Sequence, residues 1–213
     1  MAQCRITEIF YSLQGETRTI GLPTVFVRLT GCPLRCGYCD TAYAFTGGEK
    51  MEIADIVEQV SAYNPRYVTV TGGEPLAQKT CYELLTTLCD LNVEVSLETS
   101  GAIDISNVDP RVVCVMDIKT PGSGEEAKNI YANIDKLKRL DQVKFVICDR
   151  SDYEWSCKKL AEYDLPNRCE VLFSPIHGEL EPSALADWIV ADNLQVRMQV
   201  QLHKYLWNDE QGR

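Results

Sequence analysis

The chain predicts an α/β fold, an open, partial β/α barrel of about six mainly parallel strands joined by crossover helices. Three observations carry this. Short runs rich in Val, Ile and Thr alternate with longer amphipathic segments. Gly, Pro and polar residues gather just after strand after strand, where parallel α/β folds place their active-site face. The six or so mainly parallel strands are too few for the eight that a closed barrel needs.

Taken in order, an edge strand is expected at IFYSLQ (9–14), then TVFVRLTG (24–31), YVTVTG (67–72), VEVSLETS (93–100), VVCVMDIK (112–119), QVKFVIC (142–148), EVLFSPI (170–176) and LQVRMQVQL (194–202). Ile53, Ile56, Val57 and Val60 share one helical face, as do Leu84, Leu85, Leu88 and Leu91. Helices are also expected over 125–140, 151–163 and 182–191. No repeat, low-complexity tract or Pro/Ser-rich linker divides the chain, so residues 1–213 read as a single domain. The segments CPLRCGYCDT, GGEP, TSG, KTPGSG and PIHG each follow a predicted strand, and they should converge on one mouth.

The formal net charge of −10 disfavours long-range attraction to nucleic acid phosphates. The first residues lack the basic and apolar regions of a signal peptide. No window approaches the roughly 20 apolar residues of a membrane span. The expected setting is the cytoplasm, with neither membrane nor nucleic acid as partner. In a reducing compartment the ten cysteines are metal ligands or buried thiols before they are disulfides.

Three of those cysteines crowd together. Cys32, Cys36 and Cys39 form a C-x3-C-x2-C triplet on a short loop, which can wrap three corners of an iron–sulfur cube. An electron-transfer cluster usually takes four Cys ligands, so three leave one iron open to another molecule. Zinc or coincidental core thiols are the blander readings, but structural zinc takes four protein ligands and no fourth sits nearby. Cys4, Cys81, Cys89, Cys114, Cys148, Cys157 and Cys169 match no cluster motif and read as small apolar residues.

The triplet resembles that of the radical S-adenosylmethionine superfamily, and so do the aromatic Tyr38 and the later Gly72-Gly73-Glu74-Pro75, similar to that family's GGE motif for the methionine amino group. The resemblance implies a radical SAM core, one [4Fe–4S] cluster, and S-adenosyl-L-methionine on its open iron, cleaved there to a hydrogen-abstracting 5′-deoxyadenosyl radical. Eight segments in order narrow it further: FYSLQGE (10–16), FVRLTGC (26–32), CDTAYAF (39–45), TGGEP (71–75), LETSG (97–101), DIKTPGSG (117–124), SPIHG (174–178) and VQLHKYLW (200–207). Together they resemble the 7-carboxy-7-deazaguanine synthases of queuosine and 7-deazapurine biosynthesis. That family converts 6-carboxy-5,6,7,8-tetrahydropterin to 7-carboxy-7-deazaguanine with loss of ammonia. It implies a homodimer, an electron donor such as flavodoxin or ferredoxin, and Mg²⁺.

Site roles follow from the matched motifs. Leu13, Gln14 and Gly15 resemble a pterin-binding segment, against the plainer reading of a polar turn. Arg28, alone in an apolar strand, suits a substrate carboxylate or a structural salt bridge. Thr41 resembles a magnesium ligand, although a loop Thr is more often a backbone cap. Thr71 resembles a substrate contact. Tyr38, Cys39, Asp40, Gly73, Asp117, Ile118, Lys119 and the run Ser174, Pro175, Ile176 and His177 resemble cofactor contacts. His203 is read as a substrate contact, against a surface or hydrogen-bonded histidine. The ending WNDEQGR supplies no assigned residue. A glycyl-radical activase and a cluster-bearing redox sensor are the alternatives; LQGE, CDT and QLHKYLW speak against the first, the Gly-rich loops against the second.

Overall fold

The computed structural model describes residues 2–208 and 210–213. Its strands are β1 (Gln3–Leu13), β2 (Pro23–Leu29), β3 (Glu49–Glu52), β4 (Tyr67–Gly72), β5 (Glu94–Thr99), β6 (Val113–Asp117), β7 (Gln142–Ile147), β8 (Glu170–Pro175) and β9 (Arg197–Met198). They form one sheet in the order β3-β1-β2-β4-β5-β6-β7-β8-β9. Every pairing from β2 to β9 is parallel, and β1 runs antiparallel to both its neighbours. The helices are α1 (Ile53–Ala62), α2 (Cys81–Cys89), α3 (Arg150–Glu162), α4 (Leu165–Arg168), α5 (Pro182–Ala191) and α6 (Leu202–Trp207).

Alternation along the strands divides the sheet into two faces. Val25, Val27 and Leu29 of β2 join Val68 and Val70 of β4 against Ile56 and Val60 of α1 and Leu84, Leu85 and Leu88 of α2. Further along, Phe145, Ile147 and Phe173 pack with Tyr153 and Leu160 of α3 and Leu185 of α5. Burying each such side chain stabilises the fold by about 1.5–3 kcal/mol. The opposite face carries a polar or charged residue near the C-terminal end of strand after strand: Arg28, Thr71, Glu98, Asp117, Lys144 and Ser174 all line one cavity. Arg28 lies beside Thr71, and Asp117 beside Lys144, in the strand register.

The sheet stays open, and the β1–β2 loop spans its gap. Gln14 and Leu22 bond across that loop. Thr17 N donates to Gln199 Oε1 at 2.9 Å, Arg18 N to Gln142 Oε1 at 3.1 Å, and Leu202 N to Gly15 O at 3.0 Å.

The departures from the sequence reading have local causes. The edge strand begins at Gln3, not residue 9, because Gln3–Ile6 pair with β3, a four-residue strand the sequence reading omits. Helix α2 ends at Cys89, which leaves Leu91 outside it and 37% exposed. The helix expected over 125–140 is instead two short 3-10 turns, Glu126–Lys128 and Tyr131–Lys136. Side chains hold this segment in place of helical bonds: buried Asn133 accepts from Ile105 N and donates to Gly101 O and Ile103 O, and Asn129 bonds both backbone groups of Lys119. Of the strand expected over 194–202, only Arg197–Met198 pairs with β8; Gln199 N adds one last bond to Phe173 O at 3.0 Å, and His203 sits in α6, not on a strand.

Candidate active site

The cavity at the C-terminal strand ends has a volume of about 540 Å³. The cluster loop follows β2, and all three thiols, Cys32, Cys36 and Cys39, line the cavity as free cysteines. The loop is pinned from several sides. Gly31 N donates to Ala44 O at 2.8 Å, Gly37 N to Ser123 O at 3.1 Å, and Arg35 N to Glu125 Oε1 at 2.5 Å. Burial raises the Cys32 and Cys36 thiols, and neighbouring Lys119 pulls both back down. Among the described residues, no set of three or more His, Cys, Asp and Glu side chains is gathered as a metal-ion site. A single zinc ion needs its ligands within about 2.3 Å of one point.

The double glycine after β4 has a steric reason. A Cβ on Gly72 would lie 2.4 Å from Leu29 O, and one on Gly73 would lie 2.3 Å from Gly31 O and 2.9 Å from Cys32 Cβ. Only bare backbone can pass this close to the cluster loop. Glu74 turns away from the cavity. It is wholly buried, and its carboxylate accepts from Leu76 N, Thr99 Oγ1, Ser100 N and Ser100 Oγ at 2.6–3.0 Å.

Nineteen of the twenty residues singled out in the sequence line this one cavity. The exception is Ile118, 3% exposed, whose side chain joins the core with Met116 and Ile134. Tyr38 Oη, Asp117 Oδ1 and Ser174 Oγ are buried without a hydrogen-bond partner among the described residues. Three unpaired polar atoms in one cavity, beside three thiols, fit a polar cofactor that would supply the missing bonds. Burial pushes the Tyr38 phenol far up, with Asp117 adding to it. The other oxygen of Asp117 is 3.1 Å from Lys119 Nζ and 3.6 Å from Lys144 Nζ.

Several residues resolve between their readings. Gln14 is no exposed turn: it is 3% exposed, its Nε2 donates to Thr69 Oγ1 and Glu98 Oε1, and its Oε1 accepts from Glu16 N. Arg28 Nε donates to Glu8 Oε1 at 2.6 Å, an oxygen that also accepts from Tyr43 Oη, while among the described residues neither terminal guanidinium nitrogen has a hydrogen-bond partner. The hydroxyl of Thr41 caps nothing, and donates instead to Asp40 Oδ1 at 2.8 Å. Asp40 Oδ2 meets Gln201 Nε2 at 3.1 Å and Lys204 Nζ at 3.3 Å. Burial opposes the Asp40 charge, but Lys204, Thr41 and Gln201 outweigh it and hold the carboxyl well below the usual range.

His203 packs so tightly on Gly15 that a Cβ there would lie 2.1 Å from its Nδ1. Burial lowers the imidazole, against the pull of Glu16 and Asp40. His177 is exposed at the rim, edge-on to Tyr205 at 5.8 Å. The tail beyond α6 also reaches the cavity through Asn208 and Glu210–Arg213; Asp209 lies outside the described residues.

Lys144, Glu16 and Glu98 are among the cavity residues that the sequence analysis does not single out. Lys144 Nζ lies 2.6 Å from Glu16 Oε2. Burial works against the Lys144 charge, but Glu16, Asp117 and Glu98 overcome it and raise the group. Burial raises the Glu98 carboxyl, although Lys144 and its bond from Thr71 Oγ1 oppose this. The signal was in the sequence: Glu98 in VEVSLETS and Lys144 in QVKFVIC are charges at inward positions of apolar strands, the same logic that marked Arg28.

Comparison with known proteins agrees with this geometry. The model of the Radical SAM superfamily matches residues 26–181. The 7-carboxy-7-deazaguanine synthase of Chlorobaculum tepidum is 44% identical over 98% of this chain and 96% of its own. That of Koribacter versatilis is 40% identical over 97% and 98%. In fold, the crystal structure of QueE from Escherichia coli superposes with a TM-score of 0.79 at 22% identity, over 95% of this chain and 96% of that one. The three-thiol loop, the bare glycine crossing and full-length likeness to these relatives place this chain in the 7-carboxy-7-deazaguanine synthase family of the radical SAM superfamily.

Proposed function

We propose that the chain converts 6-carboxy-5,6,7,8-tetrahydropterin to 7-carboxy-7-deazaguanine with release of ammonia. The observation that supports this most is the adjacency, in one cavity, of an open three-thiol loop and a ring of inward charges from successive strands. The same likeness supports a single domain over residues 1–213, a cytoplasmic setting, a homodimer, and reduction by a flavodoxin or ferredoxin. No helix among the described residues is long and apolar enough to cross a membrane.

Cys32, Cys36 and Cys39 would hold one [4Fe–4S] cluster. Asp117, Ser174 and Tyr38 offer the unpaired groups for S-adenosyl-L-methionine, and Gly73 the backbone clearance. When bound, the cluster supplies an electron and the cofactor the hydrogen-abstracting group. The protein's own residues orient the substrate. The free terminal nitrogens of Arg28 suit its carboxylate in a bidentate pair. Thr41 and Asp40 present hard oxygens on the same side, where Mg²⁺ could share that carboxylate. Glu98 and Glu16 supply acceptors for the N–H groups of a flat pterin edge, a role the spent amide of Gln14 leaves to them.

EPR of the reduced, reconstituted protein tests the open iron directly. Addition of S-adenosylmethionine should perturb the signal, and full reconstitution should give about four iron per chain. An unperturbed signal would favour a redox sensor, and about eight iron would require a second cluster.

A further inference from the structure

The floor of the cavity holds a charge that none of the matched motifs uses. Lys144 stands on the inner face of β7, between the loop after β1 and the end of β6. Its ammonium is 2.6 Å from Glu16 on the first and 3.6 Å from Asp117 on the second. Its side chain is only 14% exposed. A structural ion pair needs one partner, whereas Lys144 joins two chain segments that face different molecules under the reading above. Glu16 belongs to the LQGE segment on the substrate side, and Asp117 to the cofactor side, where one of its oxygens is held by Lys119 and Lys144 and the other is unpaired.

The loop carrying Glu16 is under backbone strain. Thr17, the next residue, has φ of +68° and is 2% exposed. A β-branched residue in the left-handed region costs about 1–2 kcal/mol. That conformation needs compensation, and three contacts supply it: Thr17 N to Gln199, Arg18 N to Gln142, and Lys144 to Glu16. The first two hold only backbone. The Lys144 bond alone fixes a side chain that faces the cavity.

We propose that Lys144 is a positioning residue that locks the substrate-side loop, through Glu16, and the cofactor-side strand end, through Asp117, into one register. This rests on the functional reading above. Its consequence is coupling: hydrogen abstraction is productive only when the reacting carbon lies at a fixed offset from the adenosyl group, and misplacement by about 1 Å can cost 100-fold. Without Lys144 the three carboxylates Glu16, Asp117 and Glu98 would repel one another across the gap they now share.

The test uses reconstituted holoenzyme carrying Lys144→Met, Lys144→Arg, Glu16→Gln and the Glu16→Gln/Lys144→Met pair. Product and 5′-deoxyadenosine are counted together, with thermal melts run in parallel. Lys144→Met should lower kcat/KM for the pterin about 30-fold or more and raise the 5′-deoxyadenosine formed per product several-fold. S-adenosylmethionine should still perturb its EPR signal. Glu16→Gln alone should uncouple similarly, and the pair should be no worse than either single change, because the two act as a unit. If Lys144→Met does not fold, the neutral pair and Lys144→Arg decide, the arginine variant retaining charge but showing the uncoupling. Unchanged coupling with only a lower melting temperature, or losses that simply multiply in the pair, would overturn the proposal. A wild-type chain that cleaves the cofactor but never transforms the pterin would overturn the functional reading, and this assignment with it.

Discussion

Glu74 shows how a motif residue can serve a site without entering it. Its carboxylate is saturated by four donors, three at the end of β5 and the fourth Leu76 N, so the GGE segment meets the cavity through its glycines alone. Glu74→Ala should therefore destabilise the fold by about 3 kcal/mol, measured by denaturant unfolding, because it strands buried donors. Thr41→Ala should weaken Mg²⁺ dependence in assays at limiting magnesium, and unchanged kinetics there would remove Thr41 from the site. His203 carries a pH prediction. Burial depresses its imidazole below the ordinary 6.5 in the folded chain. The unfolded chain thus binds the proton first as pH falls, so this contribution to stability is full above that value and is lost as pH falls through it. Melting temperature should drop between pH 7.5 and 5.5 (spanning the imidazole range), and His203→Gln should flatten that part of the curve. At this scale the sequence revealed residue types and not directions. Arg28 was legible because a charge stood out in an apolar strand. Glu98 and Lys144 stood out equally, yet nothing local says that their neighbours across the sheet leave them facing a cavity. Ile118 differs by parity: its flanking residues Asp117 and Lys119 line the cavity, and alternation carries its side chain into the core.

Among the elements, the parallel strands and the two helices with clean apolar faces were legible because period and burial agree. The segment 125–140 misled because its periodicity is apolar enough for a helix, while Asn129 and Asn133 spend their amides on backbone groups of distant loops. The run 194–202 alternates like a strand but finds partners only at Leu172 and Phe173. Pairing length is a property of the neighbour and not of the run itself. Gly72–Gly73 crosses tightly over the end of β2, backbone against backbone. Gly73→Ala should displace the cluster loop, because its Cβ would meet Gly31 O at 2.3 Å. Activity should fall about 100-fold, with less iron bound after reconstitution. Full iron content and full activity would show that the loop yields without consequence.

For the whole molecule, an acidic exterior with net charge −10 surrounds a cavity whose inward charges come from both signs. Two of the ion pairs within it join parts remote in sequence, Glu16 with Lys144 and Asp40 with Lys204, so the site assembles only once the whole sheet and α6 are in place. That is why the mouth was legible from the order of the motifs, and its internal wiring was not. The proposed conversion requires one cavity to take cluster, cofactor and pterin together. Anaerobic incubation of the reconstituted protein with reductant, S-adenosylmethionine, Mg²⁺ and 6-carboxytetrahydropterin, read by mass spectrometry, tests it most directly. 7-Carboxy-7-deazaguanine is the expected product; 5′-deoxyadenosine without any deazapurine would rule out the pterin conversion.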